Sequence, residues 1–185
     1  MEKPNTKVIT GKVRLSYANI WTPKAVNDSP DKKYSVSLII PKTDKKTIAS
    51  IHKAVDEAKQ QGISKWGGKI PAVLKLPLRD GDEERPGDEA YKNSYFINAS
   101  AKTKPGIVDR NRQMIFDEEE VYSGCYAYVS VNFYPFNFNG NKGIAAGLNN
   151  IMKVADGESL GGRISADVDF DSVEIEYDED IEAYL

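Results

Sequence analysis

Residues 124–154 read GCYAYVSVNFYPFNF, then NGNKG, then IAAGLNNIMKV, and they restrict the fold more than any other stretch of the chain. Cys125, Ala127, Val129, Val131 and Phe133 alternate with Tyr126, Tyr128, Ser130, Asn132 and Tyr134. That two-residue period belongs to a strand with one apolar and one more polar face. Asn and Gly in the intervening run tolerate positive φ, so the segment predicts a long β-hairpin.

Other segments repeat the period. In KVITGKVRLSY (7–17), Ile9, Val13, Leu15 and Tyr17 fall on one side and Lys12, Arg14 and Ser16 on the other, with Gly11 marking a bulge or bend. YSVSLIIP (34–41) is an apolar strand stopped by Pro41. In SYFINASAKTKP (94–105), Tyr95, Ile97, Ala99 and Ala101 face away from Phe96, Asn98, Ser100, Lys102 and Lys104. One segment has helical period instead: Ile48, Ile51, Val55 and Ala58 form a stripe, Thr43 or Asp44 is the N-cap, and Gly62 is the stop. His52 beside the stripe reads as structural. Residues 18–33 read as a long loop, and 62–93 as a loop-rich insertion with a short strand around Val73 to Leu78. The inventory predicts a mainly β fold with one helix: a five- to six-stranded Greek-key barrel of the OB type with an extended hairpin, or else a sandwich.

Charge divides the chain. All 25 Lys and Arg lie at or before Arg163 with 19 of the 28 Asp and Glu, while 164–185 holds nine carboxylates and no cation. The expected organisation is a binding domain over 1–163 and an acidic tail over 164–185. A basic body with an acidic tail suits a protein that handles polyanions, although solvated tails are often acidic without that role. A single Cys and a single His provide no disulfide and no zinc cluster, and a reducing compartment follows. No apolar run resembles a signal peptide or a membrane span, so the expectation is a soluble, cytoplasmic protein with no membrane partner.

Catalysis finds little support. No nucleophile has a visible base, and no phosphate-cradling glycine motif occurs, so neither an enzyme nor a cofactor is expected. The acidic runs RDGDEERPGDE and DEEE lack the spacing of a calcium loop and read as solvated turns. Interleaved aromatic and basic residues point to binding instead. Unpaired nucleic acid is held by cations along its phosphates and by rings under its bases. The candidates are Lys12 and Arg14 on the first strand, Trp21 in the following loop, Phe96, Lys102 and Lys104 on one strand face, and Arg110 and Arg112 around a turn. Tyr126, Tyr128 and Tyr134 on the hairpin complete the set, with packing and stacking equally open for each. Trp66 reads as a core plug or a second platform. The alternative from another class is a structural or adaptor module whose basic surface is incidental.

RLSYANIWTPKAV followed by KKYSVSLIIPKTD resembles a family of single-stranded DNA-binding proteins of bacteriophages and prophages, formerly a domain of unknown function. YFINASAKTKPGIVDRN and the hairpin extend the likeness to about Val154. The resemblance implies an OB fold, sequence-tolerant binding of single-stranded DNA, and service in phage DNA replication or recombination inside the bacterial host cell. By position it adds Lys33 and Tyr34. It also implies replication or recombination partners met through the acidic tail, and a homodimer or a cooperative oligomer on DNA.

Overall fold

The computed structural model describes residues 5–25, 30–160 and 170–175. The strands are β1 (Lys7–Ile9), β2 (Val13–Ala25), β3 (Lys32–Pro41), β4 (Arg79–Asp80), β5 (Ser94–Ala101), β6 (Gly106–Val108), β7 (Tyr126–Phe138) and β8 (Asn141–Ala155). Helix α1 spans Lys45–Gly62, and a single turn, α2, spans Gly81–Glu84.

The alternation in the sequence closes a barrel. β2 pairs with β3, β3 with β5, β5 in parallel with β8, β8 with β7, and β7 returns to β2. This is the Greek-key order of an OB barrel, so the sandwich is set aside. β1, β4 and β6 are short additions beside β7, β5 and β8. Val13, Leu15, Leu38, Ile97, Val131 and Ile151 point inward and are buried. Each such side chain contributes roughly 1.5–3 kcal/mol.

β7 and β8 form the expected hairpin, with Phe138 opposite Asn141. Asn139 and Gly140 at its tip have φ of 49° and 78°, the signs a type I′ turn requires. Helix α1 lays Ile48, Ile51, Val55 and Ala58 into the core, while His52 is exposed. Asp44 caps it by accepting the Thr47 N–H at 3.1 Å. Thr47 Oγ1 in turn accepts the Gly11 N–H at 2.9 Å. A Cβ on Gly11 would stand 2.6 Å from Asp44 Oδ2, so the break between β1 and β2 is a glycine because the helix cap fills the space.

Three expectations need correction. Residues 18–25 and 32–33 are not loop: β2 runs on to Ala25 and pairs Lys24 with Lys33 and Ala25 with Lys32, the Asn and Pro residues being taken up at two register shifts. No strand forms at 73–78, where the described chain makes one bridge from Lys75 to Gly143. The acidic run at 79–89 is a folded flap, not a solvated excursion. Lys42 Nζ lies 2.9 Å from Asp80 Oδ1 and 2.8 Å from Asp82 Oδ2, and its hydrogen bonds hold both carboxyls below their usual range.

Of the tail, residues 170–172 form a turn and 173–175 no regular element, and the remainder of 164–185 lies outside the described residues. No helix among the described residues is long and apolar enough to cross a membrane.

Candidate functional site

Side chains opposite one another in an antiparallel pair point to the same side of the sheet. The register sets Ser35 against Ser100, Ser37 against Asn98, Asn19 against Ser35 and Lys24 against Lys33. Since Val36, Leu38, Ile97 and Ala99 point into the barrel, these residues occupy the outer face of β2, β3 and β5, whereas Lys102 and Lys104, expected on the same strand face, lie beyond the end of β5 at Ala101. That face is polar along its middle and cationic at one end, where Lys24 stands opposite Lys33.

Trp21 lies on β2 between Asn19 and Lys24. Its indole Nε1–H donates to the Val121 carbonyl at 3.0 Å, and Lys104 Nζ stands 5.1 Å from its ring centroid. The indole is half-buried, held at one edge and covered by a cation, a geometry worth about 0.5–2 kcal/mol. A π-face already next to a lysine is a place where a base and a phosphate can be met together.

The other end is closed by the flap. Phe96 was expected to be accessible and is not: it is 1% exposed, packed edge-on against Tyr91 with centroids 5.1 Å apart. Ile39, Tyr91 and Phe96 form a second small core outside the barrel, joined by Ala90 and Leu160. The carbonyl of Ser123 accepts the Leu160 N–H at 2.8 Å, so the chain passes Leu160 beside this end of the face.

Between the two ends lies an open groove of about 370 Å³ lined by Tyr17, Asn19, Ser35, Ser37, Arg85 and Asn98. Tyr17 and Arg85 escaped the sequence reading. Simple alternation assigns Tyr17 to the side of Leu15, whereas the register shift after Ser16 and a φ of 47° turn it outward, 59% exposed. Arg85 sits inside an acidic run, and nothing in that run marks it.

The remaining candidates divide. Tyr34 pairs with Ala101 and falls by alternation on the opposite side of β3 from Lys33, so it does not join this face. Arg110 and Arg112 are exposed on a turn in which Asp109 Oδ1 accepts the backbone N–H groups of Asn111 and Gln113, and no described contact ties either arginine to the groove. Lys12 and Arg14 gather over Tyr126, at 5.2 and 5.7 Å from its centroid. Arg14 also donates to the carbonyls of Gly124 and Glu158 at 3.1 and 2.6 Å, so its guanidinium is already engaged. Tyr126, Tyr128 and Tyr134 share the outer side of β7, on the far side of β2 from the groove, with Tyr128 and Tyr134 42% and 39% exposed. The expected constellation is therefore divided between surfaces, and none of its residues lines the groove itself.

Among the described residues no group of three or more His, Cys, Asp or Glu side chains is placed to hold a metal ion. The lone thiol of Cys125 is buried, and burial pushes its pKa up.

A family model described as the Enterobacter phage Enc34 ssDNA-binding protein matches residues 6–182. Putative protein p50 of Acyrthosiphon pisum secondary endosymbiont phage 1 is 28% identical over 186 aligned residues, covering 95% of this chain and 98% of that protein. The structure is similar to that of the bacteriophage Enc34 single-stranded DNA-binding protein in complex with ssDNA, with a TM-score of 0.76 and 23% identity over 84% of this chain and 90% of that one. It is also similar to gp2.5, a single-stranded DNA-binding protein encoded by bacteriophage T7, with a TM-score of 0.60 and 21% identity over 92% and 96% of the two chains.

Proposed function

The chain belongs to the family of the Enterobacter phage Enc34 ssDNA-binding protein, and from that membership we propose that it binds single-stranded DNA along the outer face of β2, β3 and β5. The observation that supports the placement is the polar groove that Tyr17, Asn19, Ser35, Ser37 and Asn98 line on this face, together with Lys24 paired to Lys33 farther along β2 and β3 and Lys104 over the Trp21 ring. In OB barrels this is also the face, with the adjoining loops, that takes up oligonucleotides. The mode is binding without chemistry: cations follow the phosphates, rings accept the bases, and the coated strand is kept unpaired for replication or recombination.

Titration of tryptophan fluorescence with oligo-dT at several salt concentrations tests this. Trp66 is 4% exposed and Trp21 half-buried, so the quenching belongs to Trp21 and disappears in Trp21→Phe. Four lysines on four phosphates give a slope of log affinity against log salt of about −3 for a single strand. Salt-independent binding, or none, would favour the adaptor reading instead.

The acidic tail fits the same scheme. Its nine carboxylates follow Leu160, which packs beside the flap end of the groove. The tail is proposed to compete with DNA for the lysines and, when displaced, to meet basic patches on replication or recombination proteins. Deleting residues 164–185 is expected to tighten oligo-dT binding several-fold at low salt, with the gain fading as salt screens it. Unchanged or weaker binding by the truncated chain removes the proposal.

A further inference from the structure

A bulky residue held in the left-handed backbone region costs on the order of 1–3 kcal/mol and persists only where its surroundings impose it. Tyr17 is such a residue, at φ 47° in the bulge of β2. Ala18 N–H donates to Ser123 Oγ at 2.9 Å, and Asn19 Nδ2–H to the Tyr17 carbonyl at 3.2 Å, which fixes the bulge. The result is a phenol ring held out at the groove rather than packed inside the barrel.

Arg85 lines the same groove from the flap. Its guanidinium carbon lies 5.2 Å from the Tyr17 centroid, 4.8 Å from Tyr91 and 5.1 Å from Phe96. Its Nε is buried without a hydrogen-bond partner among the described residues. Arg79 on the same flap is satisfied by Glu84, with Nη2 at 2.6 Å from Oε1, whereas the structure gives Arg85 no carboxylate partner among the described residues. A caged, partly dehydrated guanidinium with open N–H groups interacts more strongly with acceptors than one in water does. Asn19, Ser35, Ser37 and Asn98 add short donors and acceptors, and about 370 Å³ falls in the range of small-ligand sites.

We infer that this groove is a nucleobase pocket that favours guanine: a base turned out of the bound strand stacks on the open part of the Tyr17 ring, while Arg85 donates two N–H bonds to its O6 and N7. The inference rests on the single-strand binding proposed above and adds a base preference to otherwise sequence-tolerant contacts. Lysine cannot replace Arg85 here, because it lacks the planar fork.

The test compares oligo-dT with the same strand carrying one central guanine, and with that guanine replaced by 7-deazaguanine, which lacks the N7 acceptor. The full chain is expected to bind the guanine strand roughly 5-fold to 100-fold more tightly than oligo-dT. The gain should fall for 7-deazaguanine and vanish in Arg85→Lys, read within each protein as the ratio of its affinity for the guanine strand to its affinity for oligo-dT. The 7-deazaguanine comparison uses the unaltered protein, so it decides even if the Arg85 variant folds poorly. Equal affinity of the unaltered protein for all three strands overturns the pocket, as does an equal loss for every strand in Arg85→Lys with the fold intact. If oligo-dT itself fails to bind, the proposed function falls first, so the two failures are distinguishable.

Discussion

Replacing Lys33, Lys102 and Lys104 together by glutamine is expected to weaken oligo-dT binding by about two orders of magnitude at 0.1 M salt, since each phosphate contact scales as salt to the power of about −0.7. The same loss should flatten the salt slope from about −3 to about −1. The register pairs Tyr34 with Ala101, so Lys33 and Lys102 are the next residues beyond that pair, and Lys104 caps the Trp21 ring, so the variant removes the three cations proposed to meet the phosphates. The comparison is Lys45, Lys46 and Lys53 changed to glutamine: all three are exposed on α1, and the net charge changes equally. That variant should keep most of its affinity and its slope. Equal losses in the two triple variants would mean that the charge of the body as a whole governs binding, and the groove would lose its standing as the site. Filter binding or fluorescence anisotropy across a salt series measures both quantities.

The parts of this site that were legible in the sequence are those that depend on period alone. Phe96, Asn98 and Ser100 share a face because successive side chains in a strand alternate, and no structure is needed to see it, although the strand stops at Ala101, before Lys102. The β7–β8 hairpin and the buried stripe of α1 follow from the same kind of pattern. What escaped depends on register and on distant cover. Tyr17 changes side because a bulge inserts a residue, and a bulge leaves little trace in composition. Asn19, Pro23 and Lys24 look like loop residues, yet the arm they form with β3 tolerates them through two register shifts. Phe96 is hidden by Tyr91 and Arg85, which arrive from a flap whose acidic composition argues for solvent exposure. The flap folds because Lys42, from the end of β3, meets Asp80 and Asp82, a pairing across 38 and 40 residues that sequence spacing cannot announce.

A similar long-range dependence decides what Trp66 is. Its indole is buried behind α1, and Nε1–H donates to the Phe136 carbonyl at 2.9 Å, in the distal half of the hairpin. Asn137 Nδ2–H donates to the Lys65 carbonyl at 3.1 Å and Lys65 Nζ to the Pro135 carbonyl at 3.4 Å, so three hydrogen bonds join the turn after α1 to the hairpin. The fit is tight enough that a Cβ on Gly62 would stand 2.5 Å from Trp66 Cη2 and 2.7 Å from Pro135 Cβ, which explains a glycine ending this helix at a right-handed φ of −79°. Trp66 is thus a plug and not a stacking platform.

Trp66→Ala empties that space and orphans the Phe136 carbonyl, and is expected to cost roughly 3–5 kcal/mol of stability, read as a lower urea midpoint at unchanged slope. Against a total on the order of 5–15 kcal/mol, a loss of that size can leave too little folded protein to titrate. Trp66→Phe is therefore the companion variant: it keeps a ring but gives up the hydrogen bond, for roughly 1–3 kcal/mol. In Trp66→Phe the remaining indole is Trp21, so oligo-dT should quench a larger fraction of the total emission while the affinity holds, because the buried residue does not touch DNA. A large loss of affinity in Trp66→Phe with the fold intact would instead assign the distal hairpin, which Trp66 anchors, to the DNA-binding surface. A cost below about 1 kcal/mol in Trp66→Ala would show that the site is not the filled core described.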